Sequence, residues 1–248
     1  MRRIDLNSDL GEGAGHDAEL MPLITSANIA CGGHAGDAQT MRATVLLAIR
    51  HGVAIGAHPG FEDRPNFGRR ELALAPAEIR ALVRRQIGLL DRIARDCGAR
   101  IAHVKAHGAL YAMAARDAAV ARSVVEAVLE SGSGLILIGL AGSELIAAAR
   151  TRGLKVASEA FADRTYQPDG SLTPRSRPDA LISDAAVVAA QVLRLVREGC
   201  VRAADGTQVA IAADTVCVHG DGPHAVEFAK RLRAELAAAL IAIRPIGG

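Results

Sequence analysis

Strand-like apolar segments and helical stretches follow one another about seven times along the 248 residues. Strand patterns cover residues 4–10, 23–30, 53–57, 103–107, 135–140, 155–161 and 215–218. Helical patterns cover 38–51, 76–97, 118–130, 144–153, 184–198 and 224–242. Residues 201–212 read instead as a β-hairpin turning at Asp205-Gly206. Asp37, Asp117 and Asp184 stand where N-caps are needed, and Gly52 and Gly98 where helices stop. Strands separated by helices pair in parallel, so the class is α/β.

The polar residues inside the strands decide between an open and a closed sheet. Asp5, Asn7 and Asp9 alternate with Ile4, Leu6 and Ser8. His103, Lys105 and His107 alternate with Val104 and Ala106. Residues two apart in a strand share a face, so each set forms a polar row. An open parallel sheet lies under helices on both sides and needs both faces apolar. A closed barrel needs only its outer face apolar, and its mouth can hold polar groups. The expectation is one barrel domain over 1–248.

Asp9 and Glu12, His34 and Asp37, His58, Lys105 and His107, Glu159 and Asp163, and His219 and Asp221 all fall at or just past strand C-terminal ends. Barrel enzymes keep their chemistry there. Lys105 carries extra weight: of 29 basic residues only Lys105, Lys155 and Lys230 are lysines. A buried ammonium can shift its pKa, and a guanidinium cannot. A buried ion pair serving structure alone is the plainer reading of the same residue.

Two loops invite an anion. The segment 31–37 (CGGHAGD) feeds a helix N-terminus, a weak phosphate signal without a GxGxxG or Walker pattern. The segment 58–70 carries Phe61, Phe67, Arg64, Arg69 and Arg70. It suits a cover that clamps an anion and equally a solvated surface loop. A net charge of +2 without basic-aromatic runs gives no sign of nucleic-acid binding. No apolar run is long enough to span a bilayer, and no signal-peptide core is present. Cys31, Cys97, Cys200 and Cys217 show no CxxC spacing and read as free thiols of a cytoplasmic protein.

Six segments, DLNSDLGE at 5–12, SANIACGGHAGD at 26–37, GAHPG at 56–60, HVKAHGALY at 103–111, FADR at 161–164 and VHGD at 218–221, resemble the LamB/YcsF family. The resemblance runs almost end to end. It implies an irregular seven-stranded β/α barrel similar to sugar deacetylases and some glycoside hydrolases. It also implies ATP-coupled cleavage of 5-oxo-L-proline to L-glutamate, as the A component of a 5-oxoprolinase working with subunits B and C. A homo-oligomer is compatible with it. Ser8, Gly33, Ala106 and Ala112 depart from the family pattern of Cys, Phe, Pro and Asn. Gly33 implies a wider pocket or a more mobile loop, and Ser8 weakens any thiol role.

Under that reading Lys105 neutralises phosphate or a developing oxyanion, helped by the amides of Gly32 and Gly33. His107 or His219 is the base for water, oriented by Asp9 or Asp221. Asp9, Glu12 and Asp37 are the expected ligands of Mg²⁺ on the ATP phosphates. Arg69 or Arg175 binds the substrate carboxylate. Asn7, Asn28, His34, His58 and Glu159 complete the expected substrate and phosphate contacts. Two other readings remain: an ATP-independent amidohydrolase with Asp9, His34 and His58 on zinc, and a non-catalytic lactam-binding subunit.

Overall fold

A computed structural model describes residues 2–220, 222 and 224–247. Strands β1 (Arg3–Leu10), β2 (Ser26–Ala30), β3 (Ala54–His58), β4 (His103–Lys105), β5 (Ile136–Leu140) and β6 (Lys155–Phe161) pair in order, all parallel. Strands β7 (Cys200–Arg202) and β8 (Gln208–Ala210) form the antiparallel hairpin expected near 201–212. Strand β9 (Thr215–Cys217) then pairs with both β6 and β1, closing a seven-stranded barrel among the described residues. A two-residue strand, β10 (Ala242–Ile243), adds to the start of β1 outside the ring. Among the described residues no helix is long and apolar enough to cross a membrane.

The helices are α1 (Asp17–Leu20), α2 (Ala38–His51), α3 (Pro76–Asp96), α4 (Gly108–Arg116), α5 (Ala118–Ser131), α6 (Glu144–Thr151), α7 (Ala185–Glu198) and α8 (Ala225–Ala238). Asp37, Asp117 and Asp184 cap α2, α5 and α7 through their carboxylates, as the sequence predicts. Helix α4 was not legible: it opens on His107, whose side chain makes no capping bond. The apolar outer faces divide into two cores. One gathers β2 to β5 under α2 to α6; the other packs Ile4, Leu6, Ala160 and Val216 against α7 and α8. With aromatics at 2%, Ala, Val, Leu and Ile fill both.

Inside the ring the polar rows bond to one another across strands. Asn28, Gly56 and His103 stand side by side on β2, β3 and β4. The His103 ring lies over Gly56, where a Cβ would fall 2.0 Å from Nε2. It can therefore reach over β3 and donate from Nε2 to Asn28 Oδ1 at 2.9 Å. Lower down, Asp5 accepts from Thr25 and Ser26 at 2.7 Å each, and from Thr215.

Burial, and next the charge of Lys105, push His103 down to about 3. Its imidazole is neutral in the fold, while the unfolded chain protonates it near 6.5. A depressed histidine takes up its proton on unfolding, so it subtracts stability as pH falls from about 6.5 towards 3. Between pH 6.5 and 5 that loss approaches about 2 kcal/mol. Urea unfolding of His103→Asn should show a pH 7 to pH 5 loss smaller than wild type by about that amount. Equal losses in the two proteins would remove His103 from the acid response.

Candidate functional site

A pocket of about 490 Å³ opens at the C-terminal ends of the strands. Its buried or half-buried lining includes Asp9, Glu12, His58, Lys105, His107 and His219. Arg69 and Arg175 line its exposed side. The loop 162–184 supplies part of that wall. It is held by Arg164, which is buried and donates to the carbonyls of Ala180 and Thr173 at 3.2 and 2.5 Å. The loop 58–70 supplies another part. Phe67 packs edge-on against the rings of His34 and His107, so this segment covers the site. Its Arg64 donates to the carbonyls of Gly32 and Gly36, and its Arg69 stacks over Phe67 at 4.9 Å.

Lys105 is 2% exposed and lies at the centre. Its Nζ is 2.8 Å from Glu159 Oε1, 3.0 Å from Asp9 Oδ1 and 3.2 Å from Asn7 Oδ1. Asn7 in turn donates to Glu159 Oε1 and Thr215 Oγ1, and Asn28 donates to Asn7 Oδ1 and Asp9 Oδ1. Tyr111 donates to Glu159 Oε2 at 2.7 Å. Burial disfavours the ammonium, but Asp9 and the other groups around it outweigh that and hold its pKa well above normal. Asp9 is likewise opposed by burial and held well below the usual range by His58 and Lys105. The site is therefore a fixed ion cluster at neutral pH.

Beside it, three imidazoles surround Glu12. His58 donates from Nδ1 to the Lys105 carbonyl at 2.8 Å, and His107 donates from Nε2 to the Phe67 carbonyl at 2.8 Å. Those bonds aim His58 Nε2 and His107 Nδ1 at each other, 3.1 Å apart. Glu12 Oε1 lies 3.7 Å from the first, 3.3 Å from the second and 2.9 Å from His34 Nε2. Burial opposes the Glu12 charge, but bonds from His107 and His34 bring its pKa down to about 2. Burial also pushes His34 down to about 4 and lowers His107. His58 goes the other way: burial opposes its proton, and Asp9 and Glu12 more than restore it.

On the opposite side His219 bonds Asp163 from Nδ1, at 2.8 and 2.9 Å to the two oxygens. Its ring stacks on Phe161. A histidine anchored at Nδ1 by a carboxylate presents Nε2 as a proton acceptor.

Residues 4–248 match the LamB/YcsF family. The chain belongs to that family. A 5-oxoprolinase A-component from Methylococcus capsulatus is 54% identical, over 100% of this chain and 97% of its own. The crystal structure of a lactam utilization protein from Thermus thermophilus superposes with a TM-score of 0.92 at 46% identity, covering 98% of this chain and 99% of that one. A T48 deacetylase, 14% identical with a TM-score of 0.52 over 98% of this chain and 87% of that one, shares the fold.

In this LamB/YcsF protein several residues singled out in the sequence meet in the pocket, and others do not. Asp9, Glu12, His58, Arg69, Lys105, His107, Arg175 and His219 line it. Asn7, Asn28 and Glu159 lie beneath Lys105, fully buried, and position it. His34 is buried behind Glu12. Asp37 is not with Asp9 and Glu12; it is exposed and bonded to Thr40 N as the cap of α2. The Gly32 amide is spent on the Ala35 carbonyl, so it does not face an oxyanion. Gly33 neither lines nor widens the pocket. A Cβ there would fall 2.7 Å from Gln86 Nε2, and Gln86 fills the space while bonding both backbone groups of Gly60. Ser8 points away and donates to the Val218 carbonyl. The partner of His219 is Asp163, not Asp9, and Asp221 lies outside the described residues. Spacing alone does not pair residues 56 positions apart, although both stand just past strand ends.

Proposed function

We propose that the protein is the lactam-cleaving component of an ATP-dependent 5-oxoprolinase, converting 5-oxo-L-proline to L-glutamate with partner subunits B and C. The observation that carries this reading is the ion cluster of Lys105, Asp9 and Glu159 at the centre of a small pocket with Arg69 and Arg175 on its open side. Such a pocket suits a compact anion. The names of the relatives supply the lactam and the multi-component arrangement.

A five-membered lactam is an amide and resists water at neutral pH. Transfer of the γ-phosphoryl group of ATP to the lactam oxygen releases ADP and makes the ring carbon electrophilic. Water adds at that carbon and the C–N bond breaks, with a proton passing to the amine. The resulting acyl phosphate is cleaved by a second water to glutamate and phosphate. His219 takes the proton from water at Nε2, with Asp163 holding its tautomer. His107 is less suited, because both its nitrogens are engaged. Lys105 stabilises the charge that develops on the substrate oxygen. Arg69 or Arg175 holds the substrate carboxylate. Mg²⁺ enters with the nucleotide, and Asp9 is the expected carboxylate that meets it.

The test mixes the purified chain with its partner subunits, ATP and 5-oxo-L-proline. Glutamate and phosphate should appear in equal amounts, and only when nucleotide and partners are both present. Sustained glutamate formation without ATP would overturn the coupling. Full turnover by the partners alone would overturn the assignment to this chain.

A further inference from the structure

We propose that Glu12, His58 and His107 bind one divalent transition-metal ion of the zinc class, with His34 as the residue that positions Glu12. The site adjoins the Lys105 cluster, since Asp9 Oδ2 lies 3.4 Å from His58 Nε2, and it shares Glu12 with the carboxylate set expected for Mg²⁺. Three donor atoms meet there: Glu12 Oε1, His58 Nε2 and His107 Nδ1. Their separations are 3.1, 3.3 and 3.7 Å. Zinc bonds of 2.0–2.1 Å at tetrahedral angles place neighbouring donors about 3.3 Å apart. The triangle is therefore of the size an ion needs.

The outer contacts are those of a ligand set. Each ring gives its remote N–H to a backbone carbonyl, His58 to Lys105 and His107 to Phe67. That leaves the other ring nitrogen of each facing inward, as outer partners of ligand histidines do. The two rings stand at 89°, so they approach a common point from different directions. Glu12 is held by His34 Nε2 at 2.9 Å. His34 is not itself a fourth ligand in this arrangement. Its ring stacks on His107 at 3.6 Å and 4°, and one ion cannot lie in both planes. The remaining coordination position opens to the pocket, which Glu12, His58 and His107 all line together with Asp9. Two imidazoles and a carboxylate suit zinc and its first-row neighbours and do not suit Mg²⁺.

The inference does not depend on the lactam reading, because metal content is measured without turnover. The full chain, untagged and purified without chelator, is analysed for metals, then stripped and titrated with Zn²⁺ against a coloured chelator. The expected result is one Zn²⁺ per chain. His107→Gln and Glu12→Gln should each weaken binding by at least 100-fold, and His34→Gln by about 10- to 100-fold. His219→Gln should leave the zinc titration unchanged. Co²⁺ in place of Zn²⁺ should give visible absorption that changes in His107→Gln and not in His219→Gln. Circular dichroism checks that each variant is folded. A folded wild type that takes up less than a tenth of an equivalent of Zn²⁺ or Co²⁺ overturns the proposal. So does binding that survives both the His107 and Glu12 substitutions.

Discussion

Lys105→Met should lower ATP-driven glutamate formation in the reconstituted complex by at least about 100-fold. Removing one preorganised donor from a developing oxyanion costs on that order. Lys105 is 2% exposed and its Nζ is held by Glu159, Asp9 and Asn7, so it would act on the substrate oxygen as a fixed positive charge. The same geometry complicates the variant. Met leaves two carboxylates facing each other without their shared cation, and an unpaired buried charge is strongly destabilising. Lys105→Met with Glu159→Gln removes one of those charges as well. Turnover measured at low temperature, on protein shown to be folded, should stay low in both variants. Wild-type rates in either folded variant would take Lys105 out of the chemistry.

Glu159→Leu should unfold at a much lower temperature than wild type. The carboxylate is fully buried, does not line the pocket, and accepts from Lys105, Asn7 and Tyr111 at 2.8, 2.9 and 2.7 Å. Breaking a buried pair by deleting one partner costs about 3–5 kcal/mol. In a chain of this size that is roughly a 10 °C fall in Tm. Glu159→Gln keeps an oxygen for Tyr111 and should lose much less. Calorimetry on the two variants separates charge from shape. A Leu variant within about 1 kcal/mol of wild type would mean that Asp9 alone balances Lys105.

The barrel was legible because its polar rows break a rule that an open sheet obeys. Asp5, Asn7 and Asp9, repeated in kind at His103, Lys105 and His107, make sense only on an inner face. The helix caps Asp37, Asp117 and Asp184 were legible for a local reason: each side chain bonds backbone two or three residues ahead. Asp37 shows the limit of such reading. The same carboxylate fits a cap and a metal ligand on paper, and only the fold decides that it caps. The pairing of Asp163 with His219 and the filling of the Gly33 space by Gln86 join segments far apart in the chain. No local pattern reports those. Imidazole tautomers are further still from sequence, since they depend on which carbonyl faces each ring.

The ring is shut by three residues, Thr215–Cys217, lying between β1 and β6. Asp5 thus meets Thr215, and Asn7 meets Cys217, across more than two hundred positions. A growing polypeptide therefore carries every imidazole and carboxylate around Lys105 except His219 long before it can seal them in. Until that last staple arrives, β1 and β6 are bare rims, open to pairing with other chains. The cavity cannot close before Thr215–Cys217 has been made, and loss of the short ninth strand would undo the pocket and the ring together.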